Sequence, residues 1–246
     1  MSILLASSGF SDRGNPTPET TANPLLSRKP CSHPGQDAGY GRCMPAPLEI
    51  IAYSDFLCPW CFNFSVRMRR LEREFGDQID IHWRTYLLRP EPRSGRDSER
   101  FREYTRGWQR PAAEEDAGQF RTWTGDAPPP SHSIPAHIAA KAAETISSAG
   151  AKTLHDNLLS AYFSQSRDIS SHEVLSDLWA HAGLPAETFP ELNNPALIEA
   201  IQSEHAEALA LGLTGVPAAR LAKNPAFVTG ALPYAMYRRW VERHLP

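Results

Sequence analysis

Cys58-Pro59-Trp60-Cys61 narrows the choice of fold more than any other stretch of this chain. It lies between two segments of different periodicity. Leu48-Glu49-Ile50-Ile51-Ala52-Tyr53 is short, apolar and rich in β-branched residues, the pattern of one buried strand. Beyond the motif, Phe62, Val66, Met68, Leu71 and Phe75 recur at helical spacing until Gly76 stops them. Arg67-Met68-Arg69-Arg70 reads as the solvated face of that helix. Two cysteines three apart on a first helical turn join as a disulfide with little backbone movement. Cys58 falls at the helix N-terminus, where unpaired N–H groups and the helix dipole favour a thiolate. Pro59 suits the first helical position, because the N–H it lacks has no partner there anyway.

This spacing casts Cys58 as a nucleophile and Cys61, one turn further in, as the thiol that resolves its adducts. Three other readings compete: half of a zinc site, a structural disulfide, or two inert buried thiols. Zinc wants further ligands, and the only other cysteines, Cys31 and Cys43, lie in a segment without periodicity. A disulfide closing so small a loop restrains the unfolded chain little. The strand–motif–helix setting favours redox chemistry.

The segment before the strand has a different composition. Pro16, Pro18, Pro24, Pro30, Pro34, Pro45 and Pro47 interrupt it, with Gly, Ser and Thr between them. Such a stretch buries too little surface to offset its ordering entropy, so residues 1–47 read as a disordered extension. A chain beginning at Met44 would lose no predicted element, which makes residues 1–43 a dispensable extension or Met44 the natural start. Cys31, His33 and Cys43 read as stray residues of a tail rather than a metal tract.

After the first helix, Ile79, Ile81 and Trp83 alternate with Asp80, His82 and Arg84, predicting a second strand reaching about Leu88. A strand–helix–strand unit of this length is a right-handed crossover with parallel strands. Residues 97–212 then read as helical throughout. Phe101, Tyr104, Trp108, Phe120 and Trp123 read as core, and Ala127-Pro128-Pro129-Pro130 as a stiff linker. A helix over Ala136–Ala149, with Ser133 as a cap, ends at Gly150. Leu154, Leu158, Leu159, Tyr162 and Phe163 mark the next. Ser170-Ser171-His172-Glu173 looks like a capping box, and Pro195–Leu211 is the last of the series. His132, His137, His155, His172, His181 and His205 share no metal-ligand spacing and read as surface or cap residues. β character returns after Gly215-Val216-Pro217. Residues 218–222 and 226–230 flank the turn Lys223-Asn224-Pro225, and a terminal amphipathic helix runs over Leu232–Leu245.

Composition excludes several classes of function. At 246 residues and net charge −3, with mixed signs, the chain offers no nucleic-acid-binding surface as its main feature. No apolar run reaches membrane-spanning length. Ile3-Leu4-Leu5-Ala6 lacks the basic start and the length of a secretory signal, so a cytoplasmic location is expected. Four cysteines are too few for a disulfide scaffold.

Taken together, the thiol motif after a strand, the long helical stretch and Gly-Val-Pro before a hairpin and last helix resemble the DsbA-like branch of the thioredoxin superfamily. Within it the chain is most similar to the cytoplasmic FrnE-like oxidoreductases. The residues that carry this are Ser54-Asp55-Phe56-Leu57 leading into the motif, Trp83-Arg84 with Leu87-Leu88-Arg89-Pro90, the stretch from Ala136 to Ala143, and Arg167-Asp168-Ile169. The resemblance implies an α/β fold, a thioredoxin-like mixed sheet formed by residues 48–96 and 213–246. Residues 97–212 then make an inserted all-helical subdomain. It also implies a catalytic pair, Cys58 and Cys61, tuned by Pro59 and Trp60 and facing a cis-proline at Pro217. Val216 offers backbone groups to an extended substrate segment, as in β-strand addition.

Two positions depart from the family pattern. Where many relatives place a buried acid, six residues before the first cysteine, this chain has Ala52, so Asp55 or water must take over proton relay. The strongly oxidising relatives have Pro-His where this chain has Pro-Trp. Uncharged Trp60 predicts a potential more reducing than DsbA's roughly −120 mV, towards thioredoxin's about −270 mV. The implied activity is cytosolic thiol–disulfide exchange, without cofactor or metal. Its partner carries a disulfide or dithiol, protein or small molecule, with glutathione among the candidates. The rivals are a glutathione-dependent isomerase or transferase of the kappa and hydroxychromene carboxylate isomerase kind, and a non-enzymatic binding or chaperone-like module. The paired cysteines weigh against the former, since those enzymes usually carry Ser at the first motif position.

Overall fold

The apolar run ahead of the motif forms β1 (Leu48–Ser54), buried from Ile50 onward. It pairs in parallel with β2 (Ile79–Thr85), Leu48 opposite Ile79 through Ser54 opposite Thr85. On its other edge it pairs antiparallel with β3 (Ala218–Leu221), Tyr53 opposite Ala218. The two-residue β4 (Val228–Thr229) completes the hairpin. The sheet is therefore mixed, in the order β2-β1-β3-β4. The computed structural model describes residues 45–93, 95, 97–125 and 129–246. The reading of residues 1–44, with the Met44 start and Cys31, His33 and Cys43, lies outside the described residues. Pro45, Ala46 and Pro47 are exposed and irregular.

The two faces of β1 serve different cores, as its period of two requires. Ile50 and Ala52 pack with Phe64, Met68 and Leu71 of α1 (Pro59–Phe75) and with Tyr237 and Val241 of α8 (Tyr234–Glu242). Ile51 and Tyr53 face Tyr86, Leu213 and Ala208, the last from α7 (Pro195–Ala210). Between β2 and β3 the chain also forms α2 (Ser98–Arg106), the short α3 (Gln109–Ala112), α4 (Ile134–Ile146), α5 (Ser148–Gln165) and α6 (His172–His181). Their core joins α1 through Phe62, which stacks on Phe163 beside Trp108 and Phe120.

The helices differ from the sequence expectation in ways that packing explains. Residues 117–125 are irregular, not helical: Gly118 N donates to Asn63, Arg121 N to the Phe163 carbonyl and Trp123 N to the Thr105 hydroxyl. Those partners take the hydrogen bonds a helix would have made within itself. Gly150 ends nothing. The break falls at Ser147, whose hydroxyl accepts from Gly150 N, and a side chain at Gly150 would strike Leu184. Ser133 sits at the start of α4 but caps no N–H with its side chain, and neither does Ser171 ahead of α6. Of the proposed linker, Pro129 and Pro130 are buried, while Ala127 and Pro128 fall outside the described residues.

Four burial assignments are also reversed. Tyr104 is exposed, not core. His137 and His155 are buried, not surface. Arg67 is fully buried, donating to the carbonyls of Ala231, Leu232 and Glu115 with Glu114 at 3.5 Å. It thereby staples the entry to α8 and the loop after α3 onto α1. A charge so placed persists only because carbonyls and a carboxylate satisfy it.

Candidate redox site

The site begins where β1 runs out. Asp55 is fully buried, and both of its carboxylate oxygens are engaged. Oδ1 accepts from Leu57 N at 2.7 Å, and Oδ2 from Leu88 N at 2.7 Å and from Ser133 Oγ at 3.0 Å. One side chain thus ties the loops after β1 and β2 to the start of α4. Burial pushes its carboxyl up to about 6, against the pull of those hydrogen bonds and of Arg89.

Cys58 N donates to the Asp55 carbonyl at 3.1 Å, turning the chain into α1 with Cys58 as N-cap and Pro59 next. Both cysteines are free thiols. Cys58 is 5 % exposed and Cys61 not at all. Pro59 and Trp60 are half-buried. The Cys58 thiol reaches the Val216 carbonyl at 3.5 Å, and the Val216–Pro217 peptide is cis. Residues 158 apart in the chain therefore meet, because β3 lies next to β1 and its entry crosses the start of α1. Among the six residues singled out in the sequence, Cys58, Val216 and Pro217 form one locus, with Pro59 and Trp60 beside it and Cys61 behind.

Cys61 has a different setting. Burial first, and then the adjacent Cys58 sulfur, push its thiol well up, while the Asp55 backbone and the Ser54 hydroxyl pull the other way. Beyond Ser54 lies a group the sequence reading missed. Thr85, opposite Ser54 in β2, pairs through Oγ1 with His137 Nδ1 at 3.3 Å. Burial depresses the His137 imidazole to about 3, so it is neutral at physiological pH. The unbroken apolar run around it, Ile134-Pro135-Ala136-His137-Ile138-Ala139-Ala140, was the available signal: a histidine within such a helix is buried too. Among the described residues no cluster of His, Cys, Asp and Glu is arranged to hold a metal ion.

A dithiol on the first turn of the helix after a parallel strand, set against a proline loop in a mixed sheet, defines a thioredoxin-like architecture. The chain belongs to the DsbA-like thioredoxin domain family, whose model matches residues 49–241. No curated protein matches it. Among solved structures it is similar to the probable DsbA oxidoreductase of Streptomyces coelicolor, with a TM-score of 0.63 and 22% identity over 80% of this chain and 89% of that one. It is also similar to the cytosolic disulfide reductase DsbM of Pseudomonas aeruginosa, with a TM-score of 0.63 and 20% identity over 80% and 96%. A periplasmic thioredoxin-like protein of Salmonella enterica serovar Typhimurium aligns at a TM-score of 0.52 and 16% identity over 82% and 86%. At these identities the likeness is one of fold.

Proposed function

We propose that this protein is a cytosolic thiol–disulfide oxidoreductase of the FrnE-like kind, working through Cys58 and Cys61. The observation that carries the reading is the 3.5 Å approach of the Cys58 sulfur to the Val216 carbonyl. A substrate strand laid along Val216 would bring its own sulfur to Cys58, its backbone held by β-addition. Cys58 attacks a substrate disulfide, one substrate sulfur leaves as a thiol after protonation, and a mixed disulfide remains. Cys61 then attacks Cys58, forming the Cys58–Cys61 bond and releasing the second substrate thiol. The substrate gains two electrons and two protons, which the cysteine pair loses.

Location and partner rest on fold likeness. DsbM is a cytosolic disulfide reductase and has been solved with glutathione, which supports a cytosolic reductant role here and glutathione as recycling thiol. Residues 97–212 then serve as a helical lid over the thiol cleft. Trp60 brings no charge to the motif, so the potential should lie below DsbA's roughly −120 mV; a titrated value above that figure refutes the ordering. The reading as a whole is tested with Cys61→Ser, which should trap a covalent adduct through Cys58. Absence of any adduct with a disulfide substrate, together with insulin reduction that survives Cys58→Ser, would overturn it.

A further inference from the structure

Behind Ser54, whose hydroxyl meets the Cys61 thiol, and against α4 lies a small chamber of mixed lining bounded by Ser54, Trp83, Thr85 and His137. Phe56 and His155 wall it, the Phe56 ring 4.8 Å from His137 and the His155 ring 4.2 Å from Trp83. Two polar atoms there, Trp83 Nε1 and His137 Nε2, are buried without a hydrogen-bond partner among the described residues, and the buried Ser54 hydroxyl reaches only the Cys61 sulfur. Stranding two such atoms costs roughly 1–3 kcal/mol each. A cluster of that kind calls for a shared partner. The chamber's volume is about 20 Å³, and one water needs roughly 10–15 Å³ and about three polar contacts on the same measure. Size and valence both fit a single water molecule.

We propose that this chamber holds one water that carries the Cys61 proton to solvent. The inference rests on the thiol-exchange function proposed above. β1 supplies the geometry. Ala52, at the position where relatives carry an acid, lies opposite Trp83, and Ser54 lies opposite Thr85. The chamber therefore opens at the next inward-facing position of the same strand. Asp55 cannot do this work while both its oxygens are engaged by three donors. In the resolving step Cys61 gives its proton to Ser54 Oγ, which passes its own to the water. The water, held by the Trp83 N–H and by His137 Nε2, passes a proton outward, past Arg84 and Lys141, to the Glu144 carboxylate and solvent. The Arg84 and Glu144 side chains there are two-fifths exposed. The Cys61 sulfur then attacks Cys58, the Cys58–substrate bond breaks, and the departing sulfur is protonated by solvent. No other reductant or oxidant enters.

The groups facing this path set its pH response. They are Cys58 and Asp55 from the β1–α1 loop, Tyr237 from α8, Arg84 from β2, and Lys141 and Glu144 from α4. His155 adds to them from α5 and Glu204 from α7, the latter 2.9 Å from Lys141. Of these, only groups on the chamber's side touch the proposed water, which separates its test from general electrostatics.

The reduced full-length protein, mixed with excess Ellman's reagent in a stopped-flow instrument, releases two equivalents of thionitrobenzoate. The first comes from Cys58 and the second from attack of Cys61 on the Cys58 adduct. Ser54→Ala should leave the first phase in place, slow the second by about tenfold or more and move its pH profile upward. Ser54→Thr should restore it. Trp83→Phe, which removes the ring N–H together with the pyrrole part of the indole, is the second arm and should slow the same phase. Equal slowing of both phases, or a second phase with unmoved rate and pH profile in both variants, overturns the water relay. A wild-type protein without a second phase overturns the thiol-pair function itself, a distinguishable failure.

Discussion

Cys58 and Cys61 stand one turn apart on α1, yet their surroundings are built in opposite ways. Around Cys58 the partners are backbone: the Asp55 carbonyl that takes its N–H, the helix N-terminus it caps and the Val216 carbonyl beside its sulfur. Around Cys61 the groups that matter are side chains drawn from several elements. Ser54 comes from β1, Thr85 and Trp83 from β2, and His137 from α4. Backbone surroundings survive most substitutions, so the outer thiol's geometry belongs to the fold. The inner thiol's surroundings belong to this particular sequence. Stability should therefore be most sensitive on the inner side and redox potential on the outer.

Asp55 is the sharpest test of that division. Asp55→Ala strands two backbone N–H groups and the Ser133 hydroxyl in a buried site. We expect a loss of about 4 kcal/mol in urea unfolding; a loss below about 1 kcal/mol would show that water readily replaces the carboxylate. The second test is pH. His137 is neutral in the fold down to about pH 3, whereas the unfolded chain protonates it near 6.5. The unfolded state thus binds the extra proton, and stability is lost as pH falls below 6.5. From pH 6.5 to 4.5 this amounts to about 2 kcal/mol. Asp55 acts in the opposite sense. Its folded pKa, about 6, lies above the ordinary carboxylate value, so its contribution is full below about pH 4 and is lost as pH rises through 6. His137→Gln should flatten the acid limb of the stability curve and leave the Asp55 trend visible. An unaltered acid limb would place the titrating group elsewhere, with His155, also depressed by burial, the first to try.

The same division explains what could be read from the sequence. The strand, the motif, the crossover and the hairpin are legible there, because each is a local pattern: a run, a spacing, a turn. Pro217 opposite the thiols is legible only through resemblance, since nothing local ties it to Cys58 across 158 residues. Arg67 and His137 are misplaced by a sequence reading because residue type argues for solvent, while burial depends on carbonyls and hydroxyls that other elements deliver. The irregular stretch 117–125 reads as helix for the same reason: Asn63, Thr105 and Phe163 capture its backbone from a distance.

On the outer side, Trp60→His should raise the midpoint potential by about 50 mV, or about 2 kcal/mol, by adding a cation that favours the reduced thiolate form. Thermal stability should hardly move, since Trp60 is half-buried and outside the hydrophobic core. A variant potential equal to the wild type would mean that Val216 and the helix N-terminus alone set the poise.

The smallest expected effect is the most discriminating. Ser54 and Asp55 are neighbours, both buried, yet Asp55 has three donors while the Ser54 hydroxyl meets only the Cys61 sulfur. A hydroxyl whose one protein contact is a thiol sulfur, a weak hydrogen-bond partner, contributes little when removed, so Ser54→Ala should change unfolding free energy by no more than about 0.5 kcal/mol. Asp55→Ala, one residue away, should cost several times that. If Ser54→Ala proves as costly as Asp55→Ala, the hydroxyl is part of a satisfied structural network like the carboxylate's. The distinction between a saturated hub and an open chamber then fails. If it is nearly silent in unfolding but slows the second thiol step, the residue serves proton movement rather than stability.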